Sequence, residues 1–291
     1  MAAKPIVAGT DGSEESLRAV DWAAREAALR GVPLRIVAAE EAPPGMTSRA
    51  GSGEQKRVTD VLLGQRDQAL TAAAERAAKT AHGVLIDTDV VTGSVDEAVT
   101  DAGSGALMLV LGSRGKGAFT ALLLGSVSRY VATHASCPVV VIRDEPPSPH
   151  GLVGVGVADL DTCADALTFA FEEASLRKAG LLAVHAWHTP QTDFSRAGQA
   201  FTLPGEQADA ANAARHLAGL LDDWRARYPD VPVSQEVVHG HPGRALVGLS
   251  ARADLVVMGR HAKHPGLPGA GSVRHAVLNH AHGPVATVPS V

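Results

Sequence analysis

The stretch LMLVLGSRGKGAFTALLLGS, residues 107–126, sets an uncharged apolar run against a loop with glycines at 112, 115, 117 and 125. The first six residues, LMLVLG (107–112), suit a strand buried on both faces, as in a parallel sheet covered by helices. The loop closes on Gly125-Ser126, where a helix reads from 126 to 134, and PVVVIR (138–143) follows as a further strand. A near-copy stands at VVMGRHAKHPGLPGAGS, residues 256–272.

Working outward, the rest of the chain repeats as well. RAVDWAAREAALRGVPLRIVAA (18–39) matches ALTFAFEEASLRKAGLLAVHAW (166–187), and VVTGSVDEAV (90–99) matches VVHGHPGRAL (237–246). Trp22 falls on Phe169, an offset of 147 residues, and Val131 falls on Val277, one residue fewer. Copies of this length are domains with their own cores, not solenoid repeats. The expected domains are 1–145 and 150–291, joined at the Pro-rich DEPPSPHG (144–151).

Within the first copy, PIVAGT (5–10), LRIVAA (34–39) and VLIDTDVV (84–91) read as strands. Helices are predicted from Ser13, as N-cap, to Arg30, over 55–81 and over 95–102. Residues 41–54 read as a Pro/Gly/Ser loop, expected to be mobile. Strands separated by helices run parallel with right-handed crossovers, so each copy is predicted to be a doubly wound α/β domain.

Bulk composition narrows the function classes. The 291 residues are 45% hydrophobic, enough for two cores, and 31 acids against 26 bases leave a net charge of −5. That balance argues against a nucleic-acid partner. No apolar run approaches the roughly 20 residues that span a bilayer, so no membrane partner is expected. Two cysteines, Cys137 and Cys163, make no disulfide framework, and MAAKPIVAGT enters a β-like run at once without a signal-peptide pattern. A cytoplasmic protein is the expectation.

Open parallel sheets bind ligands beyond the carboxyl ends of strands where the winding reverses. Two stretches fall there if the first and fourth strands are neighbours: Thr10-Asp11-Gly12-Ser13 and Gly112-Ser113-Arg114-Gly115. Gly112 and Gly115 allow close backbone approach or positive φ. Gly125-Ser126 opens a helix whose free N–H groups favour an anion, with hydroxyls from Ser126 and Ser128. Arg114 and Lys116 add positive charge, and the Asp11 carboxylate suits ribose hydroxyls better than phosphate. Asp11 could instead cap the adjoining helix, and the two arginine and lysine charges could be solvated; both readings stay open. The loop is neither a Walker loop nor the dinucleotide fingerprint.

These residues resemble the universal stress protein family. Gly112-x2-Gly115-x9-Gly125-Ser126, the Asp11-Gly12-Ser13 turn and His134-Ala-Ser-Cys137-Pro138 carry the likeness, which covers almost the whole chain as a tandem pair of actinobacterial type. The resemblance implies an adenine nucleotide α-hydrolase-like fold with strand order 3-2-1-4-5. It implies ATP as ligand, with Mg as its accompanying ion. It places ribose or adenine at Asp11, phosphates and ribose at Gly112, Gly115, Gly125, Ser126, Val127 and Ser128, and adenine on the backbone of Ala39. It also implies an intrachain pseudo-dimer and a homodimer.

The second copy departs from this pattern. Without a gap, Ala158 falls on Asp11, Ala262 on Gly115, and the spacer before Gly271-Ser272 is one residue shorter. Its site is expected to be weakened or lost, with Asp159 and Asp161 near enough to restore a carboxylate through a bulge. Histidines at 239, 241, 261, 264, 275, 280 and 282 show no helix-face metal pattern and read as surface or loop groups, with pH sensing as another option. Cys137 and Cys163 read as core residues, and Trp22, Trp187 and Trp224 as core or packing residues.

An ATP-binding stress-response protein without fast catalysis is therefore the expectation. A slow ATP hydrolase would use the same loop with Arg114 and Lys116, but no general base stands near the phosphates. An interaction module would use the strands at 138–143 and 284–291 as pairing edges.

Overall fold

The computed structural model describes residues 3–40, 53–115, 124–143, 149–158, 163–187, 206–260 and 270–290. Two compact units emerge, Met1–Arg143 and Asp144–Val291. The first contains β1 (Ile6–Gly9), α1 (Glu14–Arg30), β2 (Leu34–Glu40), α2 (Gly53–Thr80), β3 (Ile86–Thr92), α3 (Val95–Ala102), β4 (Met108–Gly112), α4 (Ser126–His134) and β5 (Val139–Ile142).

Its sheet is parallel in the order β3-β2-β1-β4-β5. The winding reverses beside β1, so β1 and β4 are neighbours and their carboxyl ends open side by side. Their residues, IVAG and MLVLG, are buried throughout, as a sheet with two covered faces requires.

Local chemistry sets the helix ends. Ser13 Oγ accepts the Ser16 N–H at 3.3 Å, Glu14 and Glu15 lie in the first turn of α1, and Arg30 lies in its last. Gly31 ends the helix at φ 63°, a left-handed conformation that suits glycine. Arg76 of α2 reaches Glu14 at 3.0 Å and Asp21 at 2.7 Å on α1, and Thr80 Oγ1 donates to Asp21 at 2.9 Å. These contacts fix α2 against α1.

The second unit repeats the plan with β6 (Leu152–Gly156), α5 (Ala164–Arg177), β7 (Gly180–Trp187), α6 (Glu206–Arg227), β8 (Val233–His239), α7 (Pro242–Ser250), β9 (Leu255–Arg260), α8 (Ala270–His280) and β10 (Val285–Pro289). Its parallel order is β10-β9-β6-β7-β8, the same winding. Ile6 pairs with Met108 and Leu34, while Val153 pairs with Leu255 and Leu181. Each partner is displaced by the same 147 residues, so the strand register aligns the copies without a gap.

Some boundaries differ from the sequence reading. α2 starts at Gly53, inside the expected loop, and of that loop residues 41–52 lie outside the described residues. β3 starts at Ile86 instead of 84, where pairing with Leu34 of β2 begins; Leu85 before it is 72% exposed. Cys163 is buried as expected and stands at the N-cap of α5. Most of the 144–151 linker also lies outside the described residues.

Candidate functional site

A cavity of about 510 Å³ opens at the carboxyl ends of β1, β2 and β4. Its size falls in the range of small-ligand pockets. Asp11, Ala39, Gly112, Arg114, Gly115, Gly125, Ser126, Val127 and Ser128 all line it. Three separate segments thus meet in one place, as the neighbouring strand ends require.

The Asp11 turn is tightly organised. Gly12 takes φ 75°, which reverses the chain after β1. Asp11 Oδ1 accepts the Ser13 backbone N–H at 3.0 Å and the Ser13 hydroxyl at 2.6 Å. Ser13, not Asp11, is the N-cap of α1, so the carboxylate orients the turn from outside the helix. Thr10 Oγ1 and Ser16 Oγ lie 3.1 Å apart beneath it, and Thr10 Oγ1 accepts the Gly12 N–H at 3.1 Å.

The glycines serve close approach rather than positive φ. A Cβ on Gly112 would lie 2.7 Å from the Glu15 carbonyl oxygen and 3.0 Å from the Ser16 nitrogen. Gly112 therefore lets β4 run against the start of α1. A Cβ on Gly115 would lie 2.4 Å from Asp11 Oδ2, so this glycine seats the loop directly on the carboxylate. The sequence reading assigned both glycines to the ligand; the structure gives Gly112 a packing role as well.

Across the cavity, α4 begins at Gly125 with no side-chain cap and no acid in its first turn. Ser128 Oγ donates to the Gly112 carbonyl at 2.7 Å, tying α4 to β4, and the Gly125 N–H donates to Ser113 O at 2.8 Å. The backbone groups at the head of α4 thus present donor character toward the cavity. Arg114 lies 3.6 Å from Glu15. Lys116 and Gly117 lie outside the described residues.

Several lining residues escaped the sequence reading, among them Gln65, Arg66 and Ala69 of α2 and Arg129 of α4. Arg66 is ion-paired with Glu40 at the end of β2 and with Asp67 at 2.7 Å. Among the described lining residues three are arginines, Asp11 is the single carboxylate, and none is aromatic. The donor set suits an anion with hydroxyls. The lone carboxylate makes no cage for a hard cation, so magnesium would be held chiefly by ligand phosphates. Among the described residues no group of three or more His, Cys, Asp or Glu could hold a metal ion.

In the second unit, the strand register puts Ala158 at the place of Asp11. His241 caps α7, its Nδ1 accepting the Gly243 N–H at 3.1 Å, and His239 packs on Trp187 with ring centroids 4.7 Å apart. Trp224 Nε1 donates to Thr168 at 3.3 Å. His261, His264, Asp159, Asp161 and Ala262 lie outside the described residues. Among the described residues no helix is long and apolar enough to cross a membrane.

Fold and cavity together define a tandem doubly wound α/β protein with a pocket at the switch point of its first unit. The chain matches the universal stress protein family over residues 2–143 and 152–289. It is 38% identical over 304 aligned residues to a universal stress protein of Mycobacterium tuberculosis, covering 96% of this chain and 93% of the relative. A Mycobacterium bovis universal stress protein is also 38% identical, over 292 residues, covering 96% and 95%. The crystal structure of a universal stress protein from Archaeoglobus fulgidus overlays at a TM-score of 0.68, with 17% identity and 98% of each chain covered, a likeness of fold. The chain belongs to the universal stress protein family.

Proposed function

We propose that the first unit binds an adenine nucleotide, ATP, and that this occupancy is the regulatory input of a stress-response protein. One observation carries the reading. Asp11, the glycine segment and the head of α4, the first and last separated by more than a hundred residues in sequence, line a single cavity of suitable size. In this reading Asp11 accepts hydroxyls of the ribose. The backbone donors at Ser126 and Val127, with Ser126 and Arg114, receive the phosphates. The small residues Ala38 and Ala39 leave room for the base. The second unit, with Ala158 at the Asp11 position, lacks a carboxylate at that position and serves chiefly as scaffold. A cytoplasmic setting suits two buried free thiols.

Titration calorimetry of the full chain with ATP tests the proposal. Binding at or below millimolar concentration, weakened at least tenfold by Asp11→Ala, supports it. No heat and no protection from thermal unfolding at millimolar ATP sinks it. Mass spectrometry of the protein as released from its expression host gives a second reading, since a retained nucleotide identifies the ligand directly.

A further inference from the structure

We infer that Arg66 selects the base: it is the group on which a purine ring stacks in this cavity. The inference rests on the nucleotide reading above and names a feature of the same site that the glycine loop does not supply.

Three observations lead to it. First, Arg66 belongs to the wall that faces the end of β2, not to the glycine loop. It is ion-paired with Glu40, the residue after Ala39, and its side chain is only 19% exposed. β2 and β4 flank β1, so their ends stand two strand spacings apart, about 10 Å. A nucleotide with phosphates at α4 therefore carries its base to the Arg66 side. Second, the wall there is low. Ala38, Ala39 and Ala69 contribute only methyl groups, leaving space for a flat bicyclic ring. Third, none of the described residues lining the cavity carries an aromatic ring, so among them a base finds no aromatic stacking surface. The planar guanidinium of Arg66, fixed by Glu40 and Asp67, is the stacking surface at that end. Arg114 and Arg129, the other two arginines, come from β4's loop and α4 on the phosphate side.

The helix places Arg66 there by its own period. Among the described residues of α2 the buried ones run Ala69, Leu70, Ala73 and Ala77, and Arg66 extends that stripe by one turn. A guanidinium plane offers a larger contact to a purine than to a pyrimidine, and being planar it stacks where an ammonium cannot. Glu40 keeps the guanidinium in place without neutralising its face.

The test is calorimetry of the full chain with ATP, AMP, GTP and CTP, repeated on Arg66→Lys, Arg66→Ala and Glu40→Gln. The parental protein is expected to favour both purine nucleotides over CTP by at least about fivefold, the scale of a stacked cation. Arg66→Ala and Arg66→Lys should bring the ATP-to-CTP ratio close to one, while the ATP-to-AMP ratio, which reports the phosphate end, stays unchanged. Glu40→Gln should lower the purine preference in part. Circular dichroism melts confirm that each variant is folded, and Arg66→Lys retains the charge if Arg66→Ala does not fold. An unchanged ATP-to-CTP ratio in Arg66→Lys, with ATP still bound, overturns this inference alone. A parental protein that binds none of the nucleotides overturns both the inference and the reading beneath it.

Discussion

Gly115→Ala and Gly112→Ala separate the site from the fold. The new Cβ of Gly115→Ala lies 2.4 Å from Asp11 Oδ2 and must be relieved by about 1 Å to reach ordinary contact. Asp11 is exposed and its carboxylate is the end of a side chain, so it can swing aside. That displacement costs roughly 1 kcal/mol of rotamer energy and disturbed hydrogen bonding to Ser13. On the proposed nucleotide reading the ligand loses more, because a charged acceptor is no longer where the ribose hydroxyls would arrive. Such a bond contributes about 1.5–3 kcal/mol, or roughly 10- to 150-fold in Kd. For Gly112→Ala the obstacles are the Glu15 carbonyl and the Ser16 nitrogen at 2.7 and 3.0 Å, main-chain atoms of α1 that cannot rotate away. Overpacking there costs about 3 kcal/mol, near 10 °C in Tm for a unit of this size. Scanning fluorimetry and calorimetry on both variants read the two effects apart. Gly115→Ala should melt within about 4 °C of the parent and bind ATP at least tenfold more weakly. If it binds within twofold of the parent, the contact between Gly115 and Asp11 is not part of the ligand site. If it melts as low as Gly112→Ala, the loss belongs to the fold.

Other outcomes follow from single contacts. Ser128→Ala removes the donor to the buried Gly112 carbonyl and should lower unfolding free energy by about 1–2 kcal/mol in urea titration. Arg177→Met removes one ion-pair partner from the fully buried Glu173 and should lower stability measurably in urea titration; Arg30→Met does the same to Glu26, its counterpart in the first copy. Hydrogen bonds from Arg76, Arg35 and the Ser94 hydroxyl hold the carboxyls of Glu14, Asp89 and Asp96 below their usual range. The unfolded chain takes up these protons first, so their stabilisation is present above the ordinary carboxylate pKa and is lost progressively as pH falls from there through the lowered folded-state values. Tm should decline modestly below about pH 4.5, and the decline should flatten in Arg76→Gln.

The strands and helices were legible because hydrophobic period is a local property. MLVLG and the run ahead of Gly31 declare themselves without reference to the rest of the chain. The two halves of the site were legible for a topological reason: in a doubly wound sheet, strand ends at the switch point converge whatever the intervening sequence. What stayed hidden depends on packing across elements. The conflict between Gly112 and the backbone of Glu15 cannot be seen from residues a hundred positions apart. Arg66 was hidden because the buried stripe of α2 is mostly alanine, which gives little contrast with its polar face. A lone arginine continuing the spacing of Ala69, Ala73 and Ala77 was the available signal.

The two copies also show how differently core and site drift. At the matched positions 7 and 102 the first copy has Val7 and Ala102, and the second has Gly154 and Leu249. A Cβ on Gly154 would strike Leu249 at 2.6 Å, so the volume moved from strand to helix and the core stayed filled. Close packing constrains the sum of such a pair, and one change is met by the other. The site shows no such exchange. Ala158 replaces Asp11, and Arg274, partly buried and with its pKa pushed down by burial, stands where Ser128 ties α4 to Gly112. A guanidinium cannot reproduce a hydroxyl's bond within a buried turn, so the second copy could keep its winding without keeping the contacts that shape the first cavity. Retention of the core with Ala158 at the Asp11 position suits the scaffold role proposed for the second unit, and on that proposal nucleotide dependence rests on the first.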